Sequence, residues 1–357
     1  MHSRSIARIG VAVLGASGYA GGEIVRLIAG HPNAQLTSVG ASTSAGKKLR
    51  AVHPHLASLP QADLELLDVG ELDPSSLGEE TSVVFCALPG RMGADLAPNL
   101  LEAGKRVIDL GGGFRLPAED YPSWYGFDHP APSWLSKATY GLPELLGSEI
   151  RDAQLIANPG CFPTAAILAL APLLARDLVA AAPIHVDGKT GISGAGRRPE
   201  ERSMFTSSED SIRPYRVPRH QHTPEIERGL ERATGRRASV LFVPHLVPAS
   251  RGVVVTCYAP LADGVSTEDL VGALADGYTG RPFVRVLSPG EMVDSKRLRG
   301  TNVLELQAEA DPRTGTAIVV GALDNLGKGA AGQAVQNLNI ALGLDEVTGL
   351  ATEGLFP

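Results

Sequence analysis

Apolar positions in the N-terminal part of the chain fall in short β-branched bursts separated by stretches with helical spacing. Residues 11–14, 36–39, 83–87 and 107–110 read as strands. Residues 23–29 place Ile24, Leu27 and Ile28 on one helical face, and Gly30-His31-Pro32 closes that helix. Strands alternating with helices predict βαβ units and a parallel sheet, each strand being followed by a Gly or Pro signal where such folds bind ligands. Beyond residue 161 the rhythm changes to a helix over 165–174 and then longer alternating strands at 184–186, 239–243, 253–258, 303–310 and 317–322. These predict an antiparallel or mixed sheet. A last helix over 330–342, with Val335, Leu338 and Leu342 on one face, is suited to pack back on the first unit.

The expected fold class is therefore α/β: a Rossmann-type unit over 1–157 completed by 326–357, and an α+β unit with a mixed sheet over 158–325. A chain of 357 residues with 43% hydrophobic and 20% charged positions has enough apolar surface for two cores. A formal charge of −7 lacks the electrostatic footprint of a nucleic-acid binder. The longest apolar stretch, 165–184, is broken by Pro172, Arg176 and Asp177, so no membrane partner is expected. Three cysteines without framework spacing point to a reducing, cytoplasmic setting.

Gly15-Ala16-Ser17-Gly18-Tyr19-Ala20-Gly21 lies between the first strand and its helix, where backbone N–H groups and a helix N-terminus hold a pyrophosphate. Its G-x-x-G-x-x-G spacing departs from the usual dinucleotide fingerprint, and a plain tight turn is the competing explanation. At the end of the second strand, residues 40–48 contain no acid to meet a ribose 2′-hydroxyl. Ser42, Thr43 and Lys47 or Lys48 suit a 2′-phosphate instead, which predicts NADP. Gly188-Lys189-Thr190 resembles the end of a phosphate loop, but the glycine needed five positions earlier is Pro183.

Cys86 and Cys257 fall in apolar strand runs and read as small buried hydrophobes. Cys161 follows Asn158-Pro159-Gly160 and opens a helix, a position that favours thiolate. The helix dipole alone would bring a thiol from ~8.5 to roughly 7–8. His220 and His222, with Glu225 close behind, are the natural second cation or base, although the same residue types also suit a zinc site. Arg115, Arg197, Arg198, Arg219 and Arg251 are candidate anion binders. Arg115 and Arg197 are favoured because they lie in glycine-rich loops.

With these residues assembled, the chain resembles the N-acetyl-gamma-glutamyl-phosphate reductase family. The resemblance rests on GASGYAGG at 15–22, NPGCFPTA at 158–165, GISGAGR at 191–197, HQHTPEI at 220–226, PASRG at 248–252 and DNLGKG at 324–329. It implies a glyceraldehyde-3-phosphate dehydrogenase-like second unit, a homotetramer or dimer, a small-molecule substrate, and NADPH-dependent reduction of an N-acetyl-glutamyl 5-phosphate to its semialdehyde. By that resemblance Cys161 is the nucleophile and His220 the preferred acid/base. Arg115, Arg197, Ser193, His222 and Glu225 fall to the substrate. Gly15, Ser17, Gly18, Tyr19, Ala20, Ser42, Thr43 and Lys48 fall to the dinucleotide, with Asn325 and Gly327 beside the nicotinamide. Gly111-Gly112-Gly113-Phe114-Arg115 is more glycine-rich than the family's usual Ser-Ala-Asp-Phe-Arg-like segment. Two other functions compete: a lysine-pathway reductase of a carrier-linked aminoadipyl phosphate, and a non-catalytic NADP sensor.

Overall fold

The structure, a computed structural model, describes residues 8–356. Seven strands, β1 (Ile9–Leu14), β2 (Ala34–Ala41), β3 (Leu66–Asp68), β4 (Thr81–Cys86), β5 (Arg106–Asp109), β6 (Ala138–Tyr140) and β7 (Leu155–Ala157), form one sheet in the order β3-β2-β1-β4-β5-β7-β6. Every pairing in it is parallel. The strand order reverses between β1 and β4, so the carboxyl ends of these two strands flank a crevice suited to a ligand. Helix α1 (Tyr19–Ala29), capped by Gly18, leaves that crevice after the loop that Gly15 turns at φ +86°. It begins earlier than the apolar spacing predicts, because Gly21 and Gly22 are helical and buried despite their poor propensity.

The second sheet contains β8 (Ile184–Gly191), β9 (Arg213–Pro214), β10 (Val240–Val247), β11 (Val253–Pro260), β12 (Val284–Val286), β13 (Leu304–Asp311) and β14 (Thr316–Leu323), in the order β12-β13-β14-β11-β8-β10-β9. It is mixed, as the sequence predicts: β8 and β10 run parallel, while β11 is antiparallel to both β8 and β14. Gly188-Lys189-Thr190 lies within β8, paired with β10 and β11. An extended strand cannot cradle a phosphate as a loop does.

Helix α2 (Cys161–Ala175) starts at Cys161 itself and is buried from Phe162 to Leu174. It packs against β11, β14, α3 (His222–Thr234) and α4 (Thr267–Gly277), which explains an apolar run with no polar face. At 15 residues it spans about 22 Å, and among the described residues no helix is long and apolar enough to cross a membrane. Helix α5 (Gly332–Ala341) returns to the first sheet. There Ala334, Val335 and Leu338 join the core formed by Val11, Val13, Ile24 and Ile28.

Candidate active site

Two helix beginnings meet at the junction of the sheets. The chain enters α2 through Asn158-Pro159-Gly160, and α3 opens at His222. A Cβ added to Gly160 would stand 2.5 Å from His222 Nε2 and 3.0 Å from Arg115 Nη1, so glycine is what allows the imidazole and guanidinium to lie against the backbone preceding Cys161. Beneath them Glu225 is fully buried. Its Oε1 accepts from Gly160 N at 2.8 Å and Tyr140 Oη at 2.9 Å, and its Oε2 accepts from Arg115 Nη1 at 3.1 Å. Arg115 Nη2 donates to the Leu110 carbonyl at 2.8 Å. The two charges are thus paired and hydrogen-bonded, the condition under which buried ions are tolerated.

Cys161 borders two cavities. The larger, of about 350 Å³, is walled by Gly18, Tyr19 and Ala20 of the glycine loop on one side and by Arg115, His222 and Asn325 on others. The smaller, of about 220 Å³, is lined by Cys161, Thr190, Arg216, His220 and His222. The His220 and His222 rings lie 4.6 Å apart, edge to face, and His222 N–H donates to His220 Nδ1 at 3.1 Å. That bond fixes the proton of a neutral His220 on Nε2.

Burial dominates the electrostatics. It pushes the Cys161 thiol up to about 11, although the Phe162 backbone N–H and the Arg115 charge pull the other way. It pushes His220 down to about 2, with His222 and Arg216 adding to the effect. His222 is held well below its usual value by burial and by Arg115. The sequence-based expectation of a thiolate stabilised by a histidine cation is therefore corrected. A dipole worth about a kcal/mol is outweighed by removal of the thiol from water, and both imidazoles are neutral.

On the cofactor side, Gly18 caps α1 with no side-chain acceptor, and the first turn carries no acid, so its N–H groups are available to an anion. Gly15 and Ser17 are absent from the lining of the larger cavity. Ser42 and Thr43 stand exposed at the end of β2, and Lys48 is exposed and paired with Asp63 at 3.1 Å. Asn325 lines the larger cavity, its Nδ2 donating to Ser193 Oγ at 3.0 Å and its Oδ1 accepting from Gly252 N at 2.8 Å.

Residues 10–153 match a model described as a semialdehyde dehydrogenase NAD binding domain, and residues 161–325 one described as a semialdehyde dehydrogenase dimerisation domain. The protein named N-acetyl-gamma-glutamyl-phosphate reductase from Desulforudis audaxviator is 44% identical over 350 residues, covering 98% of this chain and 100% of its own. It belongs, with this chain, to one family. The chain is a member of the N-acetyl-gamma-glutamyl-phosphate reductase family. A relative of the same name from Magnetococcus marinus is 41% identical over 97% of this chain and 98% of its own. Two solved structures share the fold: aspartate semialdehyde dehydrogenase II of Vibrio cholerae, complexed with ASA (TM-score 0.70, 18% identity, covering 94% of this chain and 98% of that one), and the Candida albicans enzyme with NADP (TM-score 0.67, 19% identity, 94% and 98%).

Within this reductase-family chain, three expected contacts need correction. Glu225 does not line either cavity; it is buried under the site and holds Arg115, Gly160 and Tyr140 in place. Arg197 lines the larger cavity, but its guanidinium is engaged by the Ser17 carbonyl at 3.1 Å and the Val52 carbonyl at 2.9 Å, so it ties the second unit to the glycine loop. Gly327 is buried against the Thr301 carbonyl inside a π-type turn, Gly327–Ala331, and Gly329 lines the cavity instead, packed on Cys161 Cβ. Of the other arginines, Arg198 and Arg219 are exposed, and Arg251 pairs with Glu23 and Asp324. Cys86 and Cys257 are buried, and burial raises both thiols, Cys257 to about 12. Among the described residues no group of three or more His, Cys, Asp or Glu is placed to hold a metal ion. Tyr125 and Tyr140 were missed by sequence reasoning; neither belongs to a spacing pattern that signals a site.

Proposed function

We propose that this protein reduces N-acetyl-L-glutamyl 5-phosphate to N-acetyl-L-glutamate 5-semialdehyde and phosphate, with NADPH as reductant, in arginine biosynthesis. The observation that carries the reading is Cys161 at the head of a buried helix, shared by both cavities and facing a glycine loop built for a dinucleotide, in a chain 44% identical to a relative of that name. A carrier-linked aminoadipyl substrate finds no support in the relatives' names. A sensor has no use for the cysteine and paired histidines.

In this reading Cys161 Sγ attacks the acyl carbon, phosphate departs and a thioester forms on the enzyme. NADPH, when bound, supplies the hydride that takes the thioester to the aldehyde level. With a thiol near 11, only about one site in 10⁴ is ionised at pH 7, so attack is coupled to proton transfer to a neutral base. His222 suits that role better than His220, which the sequence favoured. Its ring lies against Gly160, its Nδ1 has no partner among the described residues, and Glu225 Oε2, 4.0 Å from Nε2, offsets the charge the ring gains. His220, with Nδ1 engaged, presents an N–H instead and is suited to donate to the developing oxyanion. Arg197 holds the glycine loop, and Asn325 is suited to orient the nicotinamide. The exposed Ser42 and Thr43 hydroxyls are suited to a 2′-phosphate, with Lys48 adding charge.

The same reading divides the chain into a cofactor unit, 1–157 with 326–357, and a catalytic and oligomerisation unit, 158–325. It makes the protein a cytoplasmic homotetramer or dimer, supported by the dimerisation-domain match. The test is NADP reduction by purified protein with N-acetyl-glutamate 5-semialdehyde, with and without inorganic phosphate, beside Cys161→Ser and with NAD as comparison. Phosphate-dependent NADPH formation that disappears in the variant, with NADPH binding retained, is expected. Near-normal turnover by Cys161→Ser sinks the thioester route, and a clear preference for NAD sinks the cofactor assignment.

A further inference from the structure

The glycine run at 111–113 has a consequence for the wall of the larger cavity. Gly112 sits at φ +83°, and a Cβ there would lie 2.6 Å from Tyr125 Oη, so the backbone makes room for the phenol. The Tyr125 ring is stacked on Tyr121, centroids 5.1 Å apart, and borders the cavity together with Gly111, Arg115 and Cys161. Its hydroxyl is buried beside the Arg115 guanidinium, and among the described residues no acceptor takes its proton. Burial keeps that proton in place by raising the phenol far above its ordinary value. The Arg115 guanidinium is itself engaged, by Glu225 through Nη1 and by the Leu110 carbonyl through Nη2, and beside the phenol it can only donate, so it cannot take the phenolic proton. A buried phenolic proton without an acceptor, next to a guanidinium at the wall that Cys161 also borders, calls for an oxyanion acceptor.

We propose that Tyr125, together with Arg115, forms the seat of the phosphoryl group of the substrate, the phenol donating to a phosphoryl oxygen. This deepens the acyl-phosphate reading and rests on it. Position separates the phosphoryl group from the substrate's other anion. Arg115 Nη1 stands 3.0 Å from where a Cβ of Gly160 would be, one residue from the attacking sulfur. The bridging oxygen of the phosphoryl group is bonded to the carbon under attack, whereas three carbons separate that carbon from the α-carboxylate. Charge fits as well: Glu225 already offsets Arg115, so a neutral phenol adds a hydrogen bond without a further cation that would retain the departing phosphate.

Tyr125→Phe keeps the ring and removes only the donor. In the direction of semialdehyde oxidation, inorganic phosphate is a separate substrate, and its KM should rise roughly 10- to 100-fold, the worth of one hydrogen bond to a charged acceptor. The KM for the semialdehyde and for NADP should stay unchanged. An unchanged phosphate KM overturns the proposal, and so does a rise confined to the semialdehyde, which would put the phenol at the carboxylate. Calorimetric titration of inorganic phosphate into the NADP-loaded protein gives a readout that needs no turnover. Binding by the unaltered protein that weakens in Tyr125→Phe is expected, and equal binding by both overturns the assignment. Absence of any phosphate-dependent turnover, by contrast, defeats the acyl-phosphate reading itself.

Discussion

Replacing Glu225 by Gln keeps the volume of the side chain and removes its charge, at a point where three donors converge. Oε1 takes Gly160 N–H and the Tyr140 hydroxyl, and Oε2 takes Arg115. A carboxamide can serve only one side with its oxygen. If that oxygen keeps Gly160 and Tyr140, the NH₂ group faces the guanidinium, donor against donor. Arg115 is 6% exposed and Glu225 0%, so water cannot substitute. Breaking one partner of such a buried pair costs about 3–5 kcal/mol. At roughly 2–4 °C per kcal/mol for units of this size, the unfolding midpoint should fall by about 6–20 °C. The assay is thermal unfolding followed by circular dichroism at pH 7 and fixed protein concentration. Inorganic phosphate should raise the midpoint of the variant more than that of the unaltered chain, because Arg115 then lacks its internal counter-charge. A midpoint within about 2 °C of the unaltered protein, less than 1 kcal/mol, would refute the view that this pair organises the site.

Two further outcomes follow from the electrostatics. Alkylation of Cys161 by iodoacetamide in the cofactor-free protein should be slow at pH 7 and climb about tenfold per pH unit toward 11; a plateau near neutrality would mean that the thiol is ionised there and burial does not control it. His220 and His222 are held neutral in the fold but titrate near 6.5 when unfolded, so the unfolded chain binds more protons as pH falls. Their contribution is complete above about 6.5 and is lost progressively on acidification, by up to ~1.4 kcal/mol per pH unit for each ring. Unfolding midpoints measured from pH 8 to 5 should fall, less steeply in His220→Asn, and a flat profile would show that these rings are protonated in the folded state.

Much of the frame could be read from apolar spacing, because the longer strands and α2 carry enough residues to show a period. Strands of two or three residues, such as β6, β7 and β9, could not: a run that short has no period, and it is a strand only because a neighbour pairs with it. Cys161 was visible at a helix start, and the two histidines as a pair one residue apart with Glu225 close behind. Their environment was not, since the Arg115–Glu225 pair joins positions 110 residues apart and the fully buried Tyr121 fixes the ring of Tyr125. The local argument about the thiol pointed in the wrong direction because a helix dipole is a property of the segment, whereas desolvation depends on everything packed around it.

Helix α5 makes the two ends of the sequence interdependent in time. It seals a core that begins at β1, with Asn339 bonded to His31 at 2.9 Å and the Ala341 carbonyl held by Arg106 at 2.6 Å. A ribosome delivers β1 to β7 first, yet the apolar flank that α5 covers stays bare until residues 332–341 have emerged. The unit translated first is thus the one completed last. During synthesis its exposed Val11, Ile24 and Ile28 surface is available to chaperones or to a neighbouring nascent chain, and a premature stop near residue 330 would leave it permanently open.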